Sequence, residues 1–350
     1  MRFAAMFATM FAAALLPLAA QAFSPNGLRF SHHDWELACD NTGTCRAAGY
    51  QADESDPHAV SVLLTRVAGA GQAVTAQVQI GQYGDNPVVD ALPAQFRLVL
   101  HINGKDLGQL TFGKETLTVD LSPQQSAALV AALARSADIR LTRGSDTWQL
   151  SDKGAAAVLL KMDEYQGRIG TSGALLKKGP RPESAVPPAA AAPVIPFTPR
   201  SKAQPGDDSF ARRNTRALLA ALRAADPQQE CSDLHERADA DIELTASRLA
   251  PGKMLLSTRC WLAAYNSGSG YWVINDRPPF QPVLVTSEAN NDDGDVLSAF
   301  QKGRGLGDCV ASRSWRWDGK QFRLSEDTQS GMCRMIAPGG AWSLPTVVTR

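Results

Sequence analysis

The sequence predicts two disulfide-stapled domains of the α+β class. An antiparallel sheet with two helices would form the N-terminal one, and a mainly β unit with one amphipathic helix the C-terminal one. Three observations carry this. Alternating apolar and polar runs between turn residues recur along the chain, the signature of half-buried strands. Residues 179–208 change abruptly to proline and alanine, with eight prolines between 180 and 205, which reads as an extended spacer. Six cysteines fall near turns on both sides of that spacer.

The chain of 350 residues begins Met1-Arg2, runs apolar from Phe3 to Leu18 and closes Ala20-Gln21-Ala22. A basic start, an apolar stretch and a small-x-small end are the marks of an export signal, so residues 1–22 are expected to be cleaved near Ala22. The mature protein is then expected in the periplasm or outside the cell, with no membrane span after cleavage. Such compartments keep disulfides oxidised, and an even cysteine count there reads as structural bridges.

In the N-terminal domain, residues 23–178, the segment Trp35–Cys39 reads as a strand that turns through Asp40–Thr44 to a return strand opening at Cys45. That reversal can bring Cys39 and Cys45 within bridging distance. Strands follow at Ser61–Arg66, Val74–Ile80 and Phe96–Ile102, the last turned back by Asn103-Gly104 into Leu107–Phe112. Ser122, Pro123 and Gln125 form a helix start with a capping box, ahead of an Ala128, Leu129, Ala132, Leu133 stripe. Ile139–Leu141 and Thr147–Leu150 pair across Gly144-Ser145. A second helix is expected from Ser151, with Ala155, Val158, Leu159, Met162 and Tyr165 on one face.

In the C-terminal domain, residues 209–350, a helix near Ser209 carries Phe210, Leu218, Leu219 and Leu222 on its apolar side. Arg212, Arg213, Arg216 and Arg223 make its other side basic. Strands Leu255–Leu262 and Tyr271–Ile274 are expected to flank a loop at Asn266–Gly270. Later, Trp315–Trp317 and Lys320–Leu324 are joined by Asp318-Gly319, read as a two-residue turn that sets Trp317 opposite Lys320 and Trp315 opposite Phe322. Extending that hairpin brings Cys309 and Cys333 to its open end, and Cys231 and Cys260 are left for each other. Sequence alone does not choose strictly among the connectivities.

Thirty-five basic and thirty-five acidic residues balance, so the composition gives no general attraction to nucleic acid. Motifs for cofactors and metals are incomplete. No Cys-x-x-Cys occurs and the five histidines are dispersed. His235-Glu236 has Asp239 where a zinc helix needs histidine, and Asn266-Ser267-Gly268-Ser269-Gly270 lacks the first glycine of a nucleophile elbow. Gly303–Gly307 lacks the lysine of a phosphate loop. Asn290–Asp295 resembles a calcium turn, yet Ala289 and Phe300 occupy positions where ligands belong, which leaves a solvated Asx turn. No cofactor is therefore expected.

The candidate binding residues lie in the last third: Tyr265, Tyr271, Trp272, Arg304, Asp308, Trp315 and Trp317. Aromatics with arginine are typical of contact surfaces, and Gly303, Gly305 and Gly307 let a backbone approach a partner. The same aromatics also suit the core of a small β domain.

Several segments carry a family resemblance. They are Trp35–Asp40 with Cys45, Met162–Arg168, Ala263–Asn266, Lys302–Cys309 and Trp315–Gly319. Together they resemble the bacterial family catalogued as domain of unknown function 1176. The resemblance implies secretion and three bridges, and it brings no reaction or ligand. The function expected is a non-enzymatic envelope protein that binds a protein or cell-wall glycan partner. The alternative is a hydrolase with a carboxylate site among Asp292, Asp293 and Asp308.

Overall fold

A computed structural model describes residues 23–52 and 57–350. The expected export signal at residues 1–22 lies outside the described residues. β-Sheet dominates, with few helices and three disulfides.

The N-terminal part contains strands β1 (Leu28–His32), β2 (Trp35–Cys39), β3 (Cys45–Tyr50), β4 (Val60–Arg66) and β5 (Thr75–Ile80). A short helix α1 (Pro87–Asp90) precedes β6 (Gln95–Ile102), β7 (Lys105–Gly113), β8 (Thr118–Asp120) and helix α2 (Pro123–Leu133). Strands β9 (Ile139–Arg143) and β10 (Asp146–Leu150) and helix α3 (Ala155–Tyr165) complete it. Two antiparallel sheets result, ordered β1-β2-β3-β4-β5-β8 and β10-β9-β6-β7. One apolar core lies between them, with Leu37, Leu64 and Ile80 from the first sheet meeting Leu98, Leu100 and Trp148 from the second, and Leu129 and Leu159 from the helices.

Both arms of the Ser122–Gln125 capping box are present at α2. Helix α3 begins four residues later than the sequence expectation, because Ser151 is used elsewhere. Its amide donates to Tyr50 and its hydroxyl to Asp34, so Gly154, in a left-handed conformation, is the residue that turns the chain into the helix.

Residues 179–208 have no strand or α-helix until Asp207, and they are tied to both flanking parts. The Ala190 amide donates to the Thr42 carbonyl, the Ser201 amide to the Leu249 carbonyl and the Ile195 amide to the Arg350 carbonyl, while the Arg350 amide donates to the Pro193 carbonyl. Val186 and Ile195 are buried.

The C-terminal part holds helices α4 (Asp207–Ala225) and α5 (Ser232–Glu236), then strands β11 (Thr245–Ala250), β12 (Lys253–Leu262), β13 (Ser267–Asn275) and β14 (Val283–Ala289). A second set follows: β15 (Asn291–Asp292), β16 (Val296–Lys302), β17 (Val310–Trp317), β18 (Phe322–Gln329) and β19 (Leu344–Val347). Each set forms one antiparallel sheet in chain order. Helix α4 covers one face of β11–β14 with Phe210, Leu218, Leu219 and Leu222, beside the Cys231–Cys260 bridge and Trp272. The opposite face, carrying Leu255, Tyr271 and Val273, packs on Leu297, Trp315 and Trp317 of the second sheet.

Two turns differ from the sequence reading. The Trp hairpin closes through four residues, not two, so Trp317 pairs with Phe322 and Trp315 with Leu324. The Asp318 carboxylate causes this: it accepts from the Lys320 and Gln321 amides and from Arg323, building an Asx turn that needs the extra length. The β12–β13 loop is 263–266, and Ser267–Gly270 lie in strand. Gly268 sits under the Trp261 ring and Gly270 under Trp272, where an added Cβ would come within 2.4 and 2.0 Å of those rings.

A fourth cluster joins the two parts. Ala38, Ala48, Tyr50 and Leu63 on the outer face of the first sheet pack against Ile336 and Leu344. The loop between β18 and β19 supplies its polar frame. Arg334 donates to Asp34 at 2.8 Å and to the carbonyls of Gln51 and Ala52, and the Gln51 side chain donates back to the Arg334 carbonyl. The Met332 amide donates to Glu36 and to the Tyr50 hydroxyl, which itself donates to Glu36 at 2.7 Å. Burial raises the Glu36 carboxyl above its ordinary range, and these two donors offset part of that rise.

Candidate functional site

The Asp308 carboxylate organises the region between β16 and β17. It is buried and accepts from Arg304 Nε at 2.8 Å and Nη2 at 2.7 Å, the fork geometry that suits arginine and carboxylate. The Met335 amide adds a third donor at 2.9 Å. Burial pushes the Asp308 carboxyl up, but Arg304 and Met335 outweigh it and leave its pKa lowered. Next to Asp308, the Cys309–Cys333 bridge ties β17 to the loop that carries Arg334. Asp308 therefore couples the glycine loop to the frame that docks on the N-terminal part.

The three glycines of Gly303-Arg304-Gly305-Leu306-Gly307 are there for different reasons. At Gly303 a Cβ would lie 2.6 Å from Cys309 Sγ and 3.1 Å from Cys333 Sγ, so the bridge needs the space. Gly307 has φ +74°, a conformation that favours glycine. Gly305 lies under the Tyr265 ring, which a Cβ would touch at 3.5 Å.

Tyr265 is placed by its neighbour. The Asn266 side chain donates to the Lys302 carbonyl at 2.8 Å and accepts from the Lys302 amide at 2.9 Å, pinning the β12–β13 tip to the end of β16. The Tyr83 hydroxyl reaches across from the N-terminal part to the Leu306 carbonyl. The result is a fixed but open surface: Tyr265 is 48% exposed and Leu306 53%. Leu262, three residues before Tyr265, is 67% exposed, and Phe300, on the outward face of β16 with Lys302, is 52% exposed. These are four of the eight large apolar side chains that are exposed among the described residues. Lys302 lies against Gly307 and makes no ion pair among the described residues.

The remaining candidate aromatics do not join this surface. Tyr271, Trp315 and Trp317 are buried between the two C-terminal sheets, and Trp272 is buried on the other face of its strand, against α4. Strand alternation explains the split, because Tyr271 and Trp272 are consecutive and must point to opposite faces. Of the seven candidate residues, Tyr265, Arg304 and Asp308 come together and the other four fill cores.

The carboxylates of the hydrolase alternative are also kept apart. Asp292 pairs with Leu297 at one end of β16, while Asp308 lies beyond Lys302 at the other, about 17 Å along the strand. Asp292 is ion-paired with Arg200, and Asp293 accepts from the Asp295 and Val296 amides, the Asx turn expected for this segment. Asp308 and the two sulfurs of Cys309 and Cys333 lie near one another, but the sulfurs are spent in the disulfide. No helix among the described residues is long and apolar enough to cross a membrane.

Over residues 29–349 the sequence matches the family described as protein of unknown function DUF1176. The chain belongs to the DUF1176 family. It is similar to the Escherichia coli (strain K12) protein named Uncharacterized protein YpfG, at 27% identity over 368 aligned positions that cover 97% of this chain and 98% of that one. No solved structure matches the chain.

Sequence reasoning about this DUF1176 chain missed Leu306, Lys302 and Tyr83 at the surface and Arg334 behind it. Leu306 carried a signal, since a lone large apolar residue between glycines has no strand or helix face to hide in. Tyr83 and Arg334 carried none, because their partners are more than 200 residues away in sequence.

A second polar constellation was also missed, inside the segment Met162–Arg168. Asp163, Gln166 and Arg168 are fully buried. Asp163 accepts from Arg66 at 3.3 Å and from the Leu175 and Leu176 amides, and Gln166 donates to the Gly43 and Arg66 carbonyls. Arg168 donates to Val67 and Gly69 and pairs with Glu183. Burial, then the neighbouring Arg168, brings Arg66 down to about 10. Nearly every group here bonds to loop backbone, so the network holds loops 67–72 and 173–183 in place.

Proposed function

We propose that this protein is a non-enzymatic binding module of the cell envelope that engages a protein partner through the Tyr265–Leu306 surface. The observation that carries this reading is the exposure of Tyr265 and Leu306 on loops that are pinned in place. Tyr265 rests on Gly305, Asn266 and Tyr83 pin the two loops, and Asp308 locks the loop base. Exposed large apolar groups are a common mark of a contact surface, and pre-ordered ones lose little entropy on binding. Lys302 at the rim favours a partner segment that pairs apolar side chains with acidic ones. Three disulfides suit an exported protein in an oxidising compartment. In this reading the chain has two units divided at residues 179–208, with the contact surface in the second.

The test is co-purification from envelope extracts with wild type, Tyr265→Asp and Leu306→Asp side by side. A partner that is retained by wild type and lost by both variants, at unchanged thermal stability, supports the proposal. Identical partners for all three would remove it.

A further inference from the structure

A groove on the N-terminal part fits a different ligand. It lies between α2, the start of β5 and the turn at residues 173–178, and encloses about 390 Å³. That volume is in the range of small-molecule sites, about 300–1,000 Å³. Its walls are mostly apolar, with Val74, Ala127, Ala131 and Leu175 among them. Ala127 and Ala131 are one helical turn apart on the exposed side of α2, and their small side chains are what leave the groove open.

The ionisable groups that line it are Arg66 and Lys178, both cationic, and no acidic side chain is among its lining residues. Arg66 is committed: Nε donates to Gln72 at 2.9 Å, Nη2 to Gly173 at 2.8 Å and Nη1 to Asp163. Lys178 is exposed and has no ion pair among the described residues, so its ammonium is available at the groove's edge. An apolar trough with one unpaired cation at its rim is complementary to an apolar chain ending in an anion.

We propose that this groove binds a single medium-length acyl chain, its carboxylate against Lys178 and its methylenes along Ala127, Ala131 and Val74. The site is independent of the Tyr265–Leu306 surface, and either can fail without the other. Calorimetry on the full mature chain with octanoate, decanoate and dodecanoate, each below its micelle concentration, reads it directly. Affinity should rise about three- to fourfold for each added methylene. Lys178→Gln should weaken decanoate by roughly three- to fivefold, the scale of an exposed ion pair, and leave uncharged decanol unaffected. Ala131→Trp, on the exposed face of α2, should abolish binding of both at unchanged melting temperature. No binding at millimolar decanoate, no dependence on chain length, or unchanged binding to Ala131→Trp would overturn the proposal.

Discussion

Replacing Arg334 by alanine should weaken the fold and loosen the glycine loop together. Arg334 makes three donations into the N-terminal part, at 2.8 Å to Asp34, 3.2 Å to the Gln51 carbonyl and 2.9 Å to the Ala52 carbonyl. Truncation leaves the Asp34 carboxylate with the Ser151 hydroxyl at 2.6 Å and without its cation. Breaking a fully buried pair in this way costs about 3–5 kcal/mol. Here the side chains are 18% and 12% exposed, so water recovers part of the loss and the low end, about 3 kcal/mol, applies. That is a large share of a total stability of about 5–15 kcal/mol. Urea unfolding of wild type, Arg334→Ala, Asp34→Ala and the double variant measures it. The cycle should give a coupling of about 2 kcal/mol, because each single variant strands the other partner. The neighbouring Met335 amide should exchange faster in Arg334→Ala, since it bonds Asp308 from the same loop. A loss under about 1 kcal/mol with no coupling would refute the view that this loop joins the two parts.

Three other outcomes follow from the same geometry. Gly303→Ala should cost about 1–3 kcal/mol, because its Cβ would meet the Cys309 sulfur at 2.6 Å, whereas Gly305→Ala should be tolerated better. Removing the Cys309–Cys333 bridge, with a sequence separation of 24, should cost about 3.5 kcal/mol by loop entropy, against about 2.3 for Cys39–Cys45 with a separation of 6. Acid unfolding should report Asp207, whose pKa its hydrogen bond with Arg248 holds at about 2 against an ordinary 3.8. A depressed folded value means this stabilisation is complete above about pH 4 and is lost as pH falls toward 2. Arg248→Met should flatten that part of the stability profile.

How much was legible varied with the range of the interaction. The capping box at Ser122–Gln125 and the turn at Asn103-Gly104 are decided within a few residues, and both elements form where those residues place them. The cysteine pairs Cys39–Cys45 and Cys309–Cys333 also follow from local reversals, even though the Trp hairpin register slipped when Asp318 captured two amides. The start of α3 was misjudged because Ser151 answers to Asp34, far away in sequence. At the candidate site, Tyr265, Arg304 and Asp308 stood out by type. The four aromatics counted with them could be sorted only by knowing which sheet face was covered. That depends on the packing of one sheet on another and of α4 on the first, which no local pattern encodes.

Photo-crosslinking in the living envelope from a benzoylphenylalanine placed at Leu306 tests the Tyr265–Leu306 contact surface most directly. Val283, which is 65% exposed on a strand elsewhere in the C-terminal part, is the control position. Position 306 should give a discrete protein adduct that disappears when Tyr265→Asp is added and is absent from position 283. No adduct from position 306, or the same adducts from both positions, would contradict it.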